Sequence, residues 1–318
     1  MDRKPDSLGR ARITALATMN HDTQYLSVSQ FFDAPLLTRL FFRGLPKFRG
    51  YWMVPLALSR VSPARWWLHH ADVVLSDRKF RIPLDLRDAY QIDVFAKDKS
   101  ELCVPAVMAA LLRPGDFYMD VGANAGWYCR LMAEVVGSDG LVVGLEPSRR
   151  AFKFLCKLGY DNFLPLPFAA TERNGEILRD TSSPLHQAAS SKFKADNEKK
   201  VNYGSGEIFA LGRSIDSLLK DFKRSPRVIK VDVEGAELLV LRGAVQTLRE
   251  VEAVVVEVNL DAHCQQFGYR FAEIFEFLDL HGFENRYEVK NVDNSVRQLG
   301  AREYIPGDIL FARRKLTL

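Results

Sequence analysis

Short apolar runs set between glycines and acids recur along the middle of this chain, with helically spaced stretches between them. Phe117–Val121 is one such run, bounded by Asp116 and Gly122, and Leu141–Leu145 is another. The residues between them fit an amphipathic helix, so this region predicts a strand–helix–strand unit with a right-handed crossover and a parallel sheet. The pattern continues with a helix at Ala151–Leu158, a strand at Phe163–Ala170 and a polar turn at Thr171–Gly175. Residues 176–212 read as an insertion in which Lys192–Lys200 is a solvated loop. Ser214 then caps a helix to Leu219. Arg227–Gly235 is a fourth strand with Asp232 and Glu234 on one face, and Gly235 turns the chain into a helix at Ala236–Leu248. Glu252–Val258 is a fifth strand, and Phe271–Leu280 a helix closed by Gly282. Asn285–Val289 and Asp308–Ala312 predict an antiparallel pair at the sheet edge. Upstream, Val73–Leu75 and Phe80–Leu84 flank a turn as a hairpin, and Val104–Leu112 is a helix stopped by Arg113-Pro114-Gly115.

Sheets of this kind bind ligands at the carboxyl ends of their strands, so Gly122–Gly126 and Glu146–Pro147 border the expected pocket. A dinucleotide needs the GxGxxG spacing, because its pyrophosphate lies against amides at a helix N-terminus. Here Ala123, Asn124 and Ala125 separate Gly122 from Gly126, so the middle glycine is missing, and Asp120 would repel a pyrophosphate. A cationic ligand is favoured instead. S-adenosyl-L-methionine carries a sulfonium and an ammonium, and Glu146 at the end of the second strand is placed to take its ribose diol.

Composition changes the picture in two ways. With 318 residues, 47% of them hydrophobic, the chain has ample apolar material for one α/β domain and an appendage. The net charge of +4 is uneven: residues 1–71 hold ten basic and four acidic residues, which leaves the remainder at −2. The expected division is therefore a basic, aromatic-rich N-terminal extension at 1–71 and a catalytic domain at 72–318. A body without net positive charge weighs against a nucleic-acid partner. Residues 1–30 read as a loose polar arm. Between Ala34 and Ala71 six basic residues and no acid alternate with Phe41, Phe42, Phe48, Tyr51, Trp52, Trp66 and Trp67. This is either a helical extension packed on the domain or a peripheral membrane contact through residues 36–70. No stretch has the roughly 20 apolar residues of a membrane span, and no secretory signal is read. The four cysteines are scattered without a CxxC pair. That suits a reducing cytoplasm, with the inner membrane face as the peripheral option.

The ordered motifs carry a resemblance. DVGANAG at 120–126, the acid of GLEPS at 144–148, SIDSLL at 214–219, IKVDVEGAELLVLRGA at 229–244 and VVVEVN at 254–259 together look like the FkbM family of S-adenosylmethionine-dependent methyltransferases. LDLRDAYQIDVF at 84–95 is similar to the segment that precedes the core in that family. The resemblance covers residues 73–314. It implies a class I methyltransferase (Rossmann-like) α/β fold with a seven-stranded sheet in the order 3-2-1-4-5-7-6. It also implies O-methylation, often of a sugar, glycan or polyketide-type hydroxyl. Carried over, it places Asp120, Gly122, Ala123, Asn124 and Gly126 around the methionine end, Glu146 and Pro147 at the ribose, and Thr171 near the adenine. Ala169 and Ala170 supply no acid for the adenine amine.

Methyl transfer to a hydroxyl needs alignment and a base. Asp232 is the first candidate, Glu257 the second and His263 a distant third. Asp232 also reads as a carboxylate that only neutralises the donor. Glu257 also reads as a strand-end acid paired with Arg242 or Lys230. Asp232 and Glu257 sharing a divalent metal with Glu234 is a further reading, although hard cations need more oxygens than these residues supply; no metal site is expected. A dinucleotide-dependent oxidoreductase and a non-catalytic cofactor-binding module are the competing functions. The 85–98 segment reads equally as a surface loop or as a substrate edge.

Overall fold

A computed structural model describes residues 23–26, 28–33, 63, 67–75, 78–86, 102–180, 193–195 and 209–316. The rest of the aromatic 34–66 segment, residues 87–98 of the proposed substrate edge and most of Lys192–Lys200 lie outside the described residues. The chain divides into two compact units, residues 1–106 with 291–295, and residues 107–290 with 296–318. Residues 71 and 72, on either side of the expected boundary, lie in one strand.

In the first unit, β1 (Thr23–Tyr25) and β2 (Val28–Asp33) lie in the stretch expected to be a loose arm. β2 pairs antiparallel with β3 (Leu68–Leu75), and β3 with β4 (Arg78–Asp85), so the expected hairpin is there with a third strand beside it. Val73, Leu75 and Ile82 are buried. α1 (Cys103–Leu111) carries the division between the units.

The second unit is built on the predicted crossover. β5 (Phe117–Val121), α2 (Trp127–Val136) and β6 (Leu141–Leu145) are followed by α3 (Arg149–Leu155) and β7 (Phe163–Leu166). The predicted strand Phe163–Ala170 is broken at Pro167, which has no N–H to give a ladder. Its second half, β8 (Phe168–Ala170), joins a different sheet with β9 (Ile177–Asp180), β10 (Phe193–Ala195) and β11 (Phe209–Arg213), in the order β10-β9-β11-β8. The described parts of the insertion are thus mainly strands, and β10 lies inside the stretch expected to be a solvated loop. Ala169, Leu178 and Ala210 form the small sheet's own core.

The chain returns through α4 (Ile215–Leu219), where the Ser214 hydroxyl accepts from the Ser217 amide as expected. β12 (Val228–Val231), α5 (Glu237–Arg242) and β13 (Ala253–Val258) follow. α5 is shorter than the pattern predicts because the chain turns at Gly243, where a Cβ would lie 2.1 Å from the Thr171 carbonyl oxygen. Next come α6 (Asp261–Cys264), α7 (Ala272–Leu280), β14 (Asn285–Lys290), β15 (Ser295–Gln298) and β16 (Gly307–Ala312). These strands run in the order β15-β14-β16-β13-β12-β5-β6-β7. β5, β6, β7, β12 and β13 pair in parallel, and β16 is antiparallel to both β13 and β14. The sheet exceeds the expected seven strands, since β15 lies outside β14 and moves the predicted edge pair inward.

One face of these strands packs Met119, Val121, Val143, Ile229, Val231, Val254 and Val256 into the main core. The strand period of two sends Tyr118, Asp120, Lys230, Val255 and Glu257 to the other face. Polar residues are thereby brought to neighbouring positions across β5, β12 and β13, with Lys230 directly opposite Asp120.

Candidate functional site

The turn between β5 and α2 is set by three left-handed residues, Gly122 (φ 87°), Asn124 (φ 48°) and Gly126 (φ 83°). Gly122 is required by contact as well as by φ: a Cβ there would stand 1.8 Å from the backbone oxygen of Asp232. The Asp232 amide in turn donates to the Val121 carbonyl at 3.0 Å. Turn and fourth-strand acid are thus joined through backbone. Gly122→Ala is expected to lower stability by about 2 kcal/mol or more, since both φ and the backbone contact must yield. Chemical denaturation checks this, and wild-type stability would mean that the turn is not closed on Asp232.

Glu146 closes the same turn from β6. Its Oε2 accepts from the Asn124 amide at 2.8 Å and its Oε1 from the Ser148 amide at 2.7 Å. Burial pushes its carboxyl up to about 7, against the pull of those two amides. Asp120 is fully buried, and burial raises it to about 6 although Lys230 and the Cys129 thiol favour its ionised form. Cys129 Sγ donates to Asp120 Oδ2 at 3.2 Å, whereas Asp120 Oδ1 has no hydrogen-bond partner among the described residues. Buried acceptors are nearly always satisfied, so this oxygen is placed for a donor group that the described residues do not supply. Ala123 is buried in the turn and Pro147 follows Glu146. Thr171 lies apart from them: its hydroxyl donates to the Arg173 carbonyl at 2.7 Å, and it packs against Gly212 and Gly243.

The second half of the site is an ion cluster at the carboxyl ends of β12 and β13. Lys230 is buried, with Nζ 2.6 Å from Asp232 Oδ2 and 4.4 Å from the centre of the Tyr128 ring. Burial alone would lower Lys230, but Asp232 and Asp120 hold it above its ordinary value. For Asp232 burial pushes upward, and the charge of Lys230 with hydrogen bonds from Glu257 and Lys230 overcomes it, leaving Asp232 below the ordinary carboxylate range. Glu257 goes the other way. Its hydrogen bond to Asp232, its burial and the negative charges of Asp232 and Asp308 raise it well above that range. At neutral pH the pair therefore divides its roles: Asp232 is the anion and Glu257 the protonated donor to it.

Asp232 is a weak proton acceptor, because Lys230 stabilises its ionised form. Glu257 partners Asp232, while Arg242 stands 4.0 Å from Glu273 instead. Among the described residues, no group of three or more His, Cys, Asp or Glu is arranged to hold a metal ion.

Sequence reasoning missed Glu237 and Tyr269, which build the turn that carries Asp232. Glu237 is fully buried, and Oε1 accepts from the amides of Val233 (3.3 Å) and Gly235 (2.9 Å). Tyr269 donates to the Gly235 carbonyl at 2.7 Å and lies 3.1 Å from Glu237 Oε2. The available signal was an acid on a helix's first turn, two residues after a glycine. Glu234 (φ 59°) and Gly235 (φ 110°) give the turn its left-handed geometry.

An open mixed α/β sheet with buried acids at its crest and no complete dinucleotide fingerprint fits a class I, S-adenosylmethionine-dependent methyltransferase fold. The model of the methyltransferase FkbM domain matches residues 120–285. The chain belongs to the methyltransferase FkbM family, whose methyl donor is S-adenosyl-L-methionine. It is similar to the hexuronic acid methyltransferase AglP of Haloferax volcanii, 26% identical over 147 residues that cover 45% of this chain and 56% of that protein. It is also similar to a protein-L-isoaspartate O-methyltransferase of Archaeoglobus fulgidus, 40% identical over 63 residues, covering 18% of this chain and 29% of the relative. The chain thus spans little more than half the length of the first of these relatives and less of the second. Among solved structures, a methyltransferase FkbM from Methylobacillus flagellatus matches with a TM-score of 0.38 at 14% identity, over 71% of this chain and 54% of that one. Among the described residues no helix is long and apolar enough to cross a membrane.

Proposed function

We propose that this protein transfers the methyl group of S-adenosyl-L-methionine to a hydroxyl oxygen of a sugar, glycan or related natural product. The observation that carries the reading is the buried Oδ1 of Asp120, without a hydrogen-bond partner among the described residues, beside the Gly122–Gly126 turn, with the Asp232 backbone carbonyl closed against the same glycine. Bound there, the donor supplies an electrophilic methyl carbon on a cationic sulfur, and its charge disappears as the methyl leaves. Asp120 accepts from the ammonium of the methionine end, and Gly122, Ala123, Asn124 and Gly126 shape the turn around it. Glu146 holds the ribose with Pro147, and Thr171 borders the adenine. Asp232 supplies the negative charge that meets the donor, and Glu257 fixes it by hydrogen bonding. The sugar acceptor is supported by the likeness to a hexuronic acid methyltransferase. The dinucleotide-dependent alternative is not favoured. A cytoplasmic setting and a peripheral membrane contact through residues 36–70 remain part of the proposal. The direct test is calorimetric titration with S-adenosyl-L-methionine and with NADH, followed by methyl transfer to uronic-acid-containing saccharides. Binding of NADH alone would overturn it.

The acids make donor binding depend on pH. Glu146 must be ionised to hold the ribose diol strongly, and its carboxyl in the free protein is at about 7. Protons therefore compete with the donor, so affinity at pH 6 is expected to be about tenfold below that at pH 8. Glu146→Gln should weaken binding at pH 8 by about 1–3 kcal/mol and flatten most of the dependence. A smaller fall persists because Asp120 is at about 6. A wild-type affinity independent of pH would move the ribose away from Glu146.

A further inference from the structure

Resting on the methyl-transfer reading, we infer that His263 is the general base, held in one tautomer by Asn259, and that Asp232 is not. His263 follows β13 in α6, at the same sheet crest as Asp232. It is packed against the turn after Asp232: a Cβ on Gly235 would lie 3.1 Å from His263 Cβ. His263 Nδ1 is 2.9 Å from Asn259 Oδ1. The direction of that hydrogen bond follows from the other end of the amide. Asn259 Nδ2 faces Glu237 Oε1 at 3.2 Å and the Glu257 carbonyl at 3.3 Å. A carbonyl oxygen is only an acceptor, and Glu237 Oε1 already accepts from the amides of Val233 and Gly235. The Asn259 NH₂ therefore points at them, its Oδ1 points at the ring, and Nδ1 must be the nitrogen that donates.

Neutral His263 then carries its proton on Nδ1 and a lone pair on Nε2, which makes no hydrogen bond among the described residues. His263 is partly exposed. An orienting group on one nitrogen and a free acceptor on the other is the arrangement of a general base. It is also chemically better suited than Asp232, whose ionised form is stabilised by Lys230 and by the hydrogen bond from Glu257. In the step proposed, the acceptor's hydroxyl oxygen bonds to the methyl carbon as the carbon–sulfur pair stays on sulfur, leaving a neutral thioether. The hydroxyl proton moves to Nε2, giving an imidazolium whose Nδ1–H remains on Asn259, and solvent later removes that proton. Glu237 and Asn259 act through the ring and are positioning residues.

Nitrogen-15 NMR of histidine-labelled protein gives a test that needs no acceptor. The neutral His263 ring should be the Nδ1–H tautomer, and Asn259→Leu should convert it to a mixture. Single-turnover transfer from S-adenosyl-L-methionine to a methyl glucuronoside supplies the second measurement. His263→Ala should slow it by about 10²-fold or more, restored in part by added imidazole, with donor affinity within about twofold of wild type. An Nε2–H tautomer in the wild-type protein overturns the assignment, as does a His263→Ala rate equal to wild type. Failure of the wild-type protein to bind the donor overturns the methyl-transfer reading itself, and with it the assignment.

Discussion

Asp232→Asn is expected to cut methyl transfer by about 10²-fold or more while leaving the fold intact, an effect of roughly 3 kcal/mol on the barrier. The asparagine keeps the shape of the side chain and the backbone contact with Gly122. What it removes is the anion 2.6 Å from Lys230, so the buried ammonium is left beside a cationic donor with Asp120 alone to offset it. Donor affinity should fall together with the rate, whereas loss of a simple base would leave affinity unchanged. That difference separates the two roles of Asp232. The variant also frees Glu257, whose raised proton affinity comes first from its hydrogen bond to Asp232. Once Asp232 is neutral, Glu257 can ionise and replace part of the missing charge. The double variant Asp232→Asn with Glu257→Gln should therefore be slower than the single one. Full activity in the double variant would show that the crest needs no anion from these strands.

The largest loss of stability is expected for Lys230→Met, at about 3–5 kcal/mol near neutral pH. Lys230 is 1% exposed, and its removal leaves Asp120 and Asp232 on neighbouring strands with no cation between them. The loss should shrink as the pH falls. Asp120 is already raised to about 6 by burial, and without Lys230 it rises further. A carboxyl whose folded-state pKa is raised favours folding when protonated, so its contribution is present at low pH and is lost as the pH climbs through that raised value. Urea titrations at pH 5 and pH 8 should show the variant closer to wild type at pH 5. A deficit that is equal at both values would mean that the methionine fails by packing and not by charge.

Much of the parallel core could be read along the chain because each buried strand is a continuous apolar run with its own stop. Phe117–Val121, Leu141–Leu145 and the cap at Ser214 are examples, and the turn acids Asp120, Glu146 and Asp232 follow from where those runs end. The small sheet was hidden because its strands are short. Nothing local states that residues 168–170 pair in parallel with residues 211–213, more than forty positions away in the chain. The division between Asp232 and Glu257 was hidden for a related reason. Which of two neighbouring carboxyls ionises is decided by Lys230, and its place beneath Asp232 depends on the strand period and on burial together. His263 stands only third among the candidate bases in the sequence, because the Asn259 and Glu237 contacts that fix its ring are made by folding.

Pro167 gives the molecule a seam. By interrupting one extended stretch it lets residues 163–166 finish the large sheet and residues 168–170 begin the small one, so the chain changes sheets at a single proline. A lineage could lengthen, shorten or exchange residues 176–212 and thereby change which partner molecule is handled, without disturbing the glycine bend or the acids beside it. Variation among close kin should then concentrate on the far side of that proline.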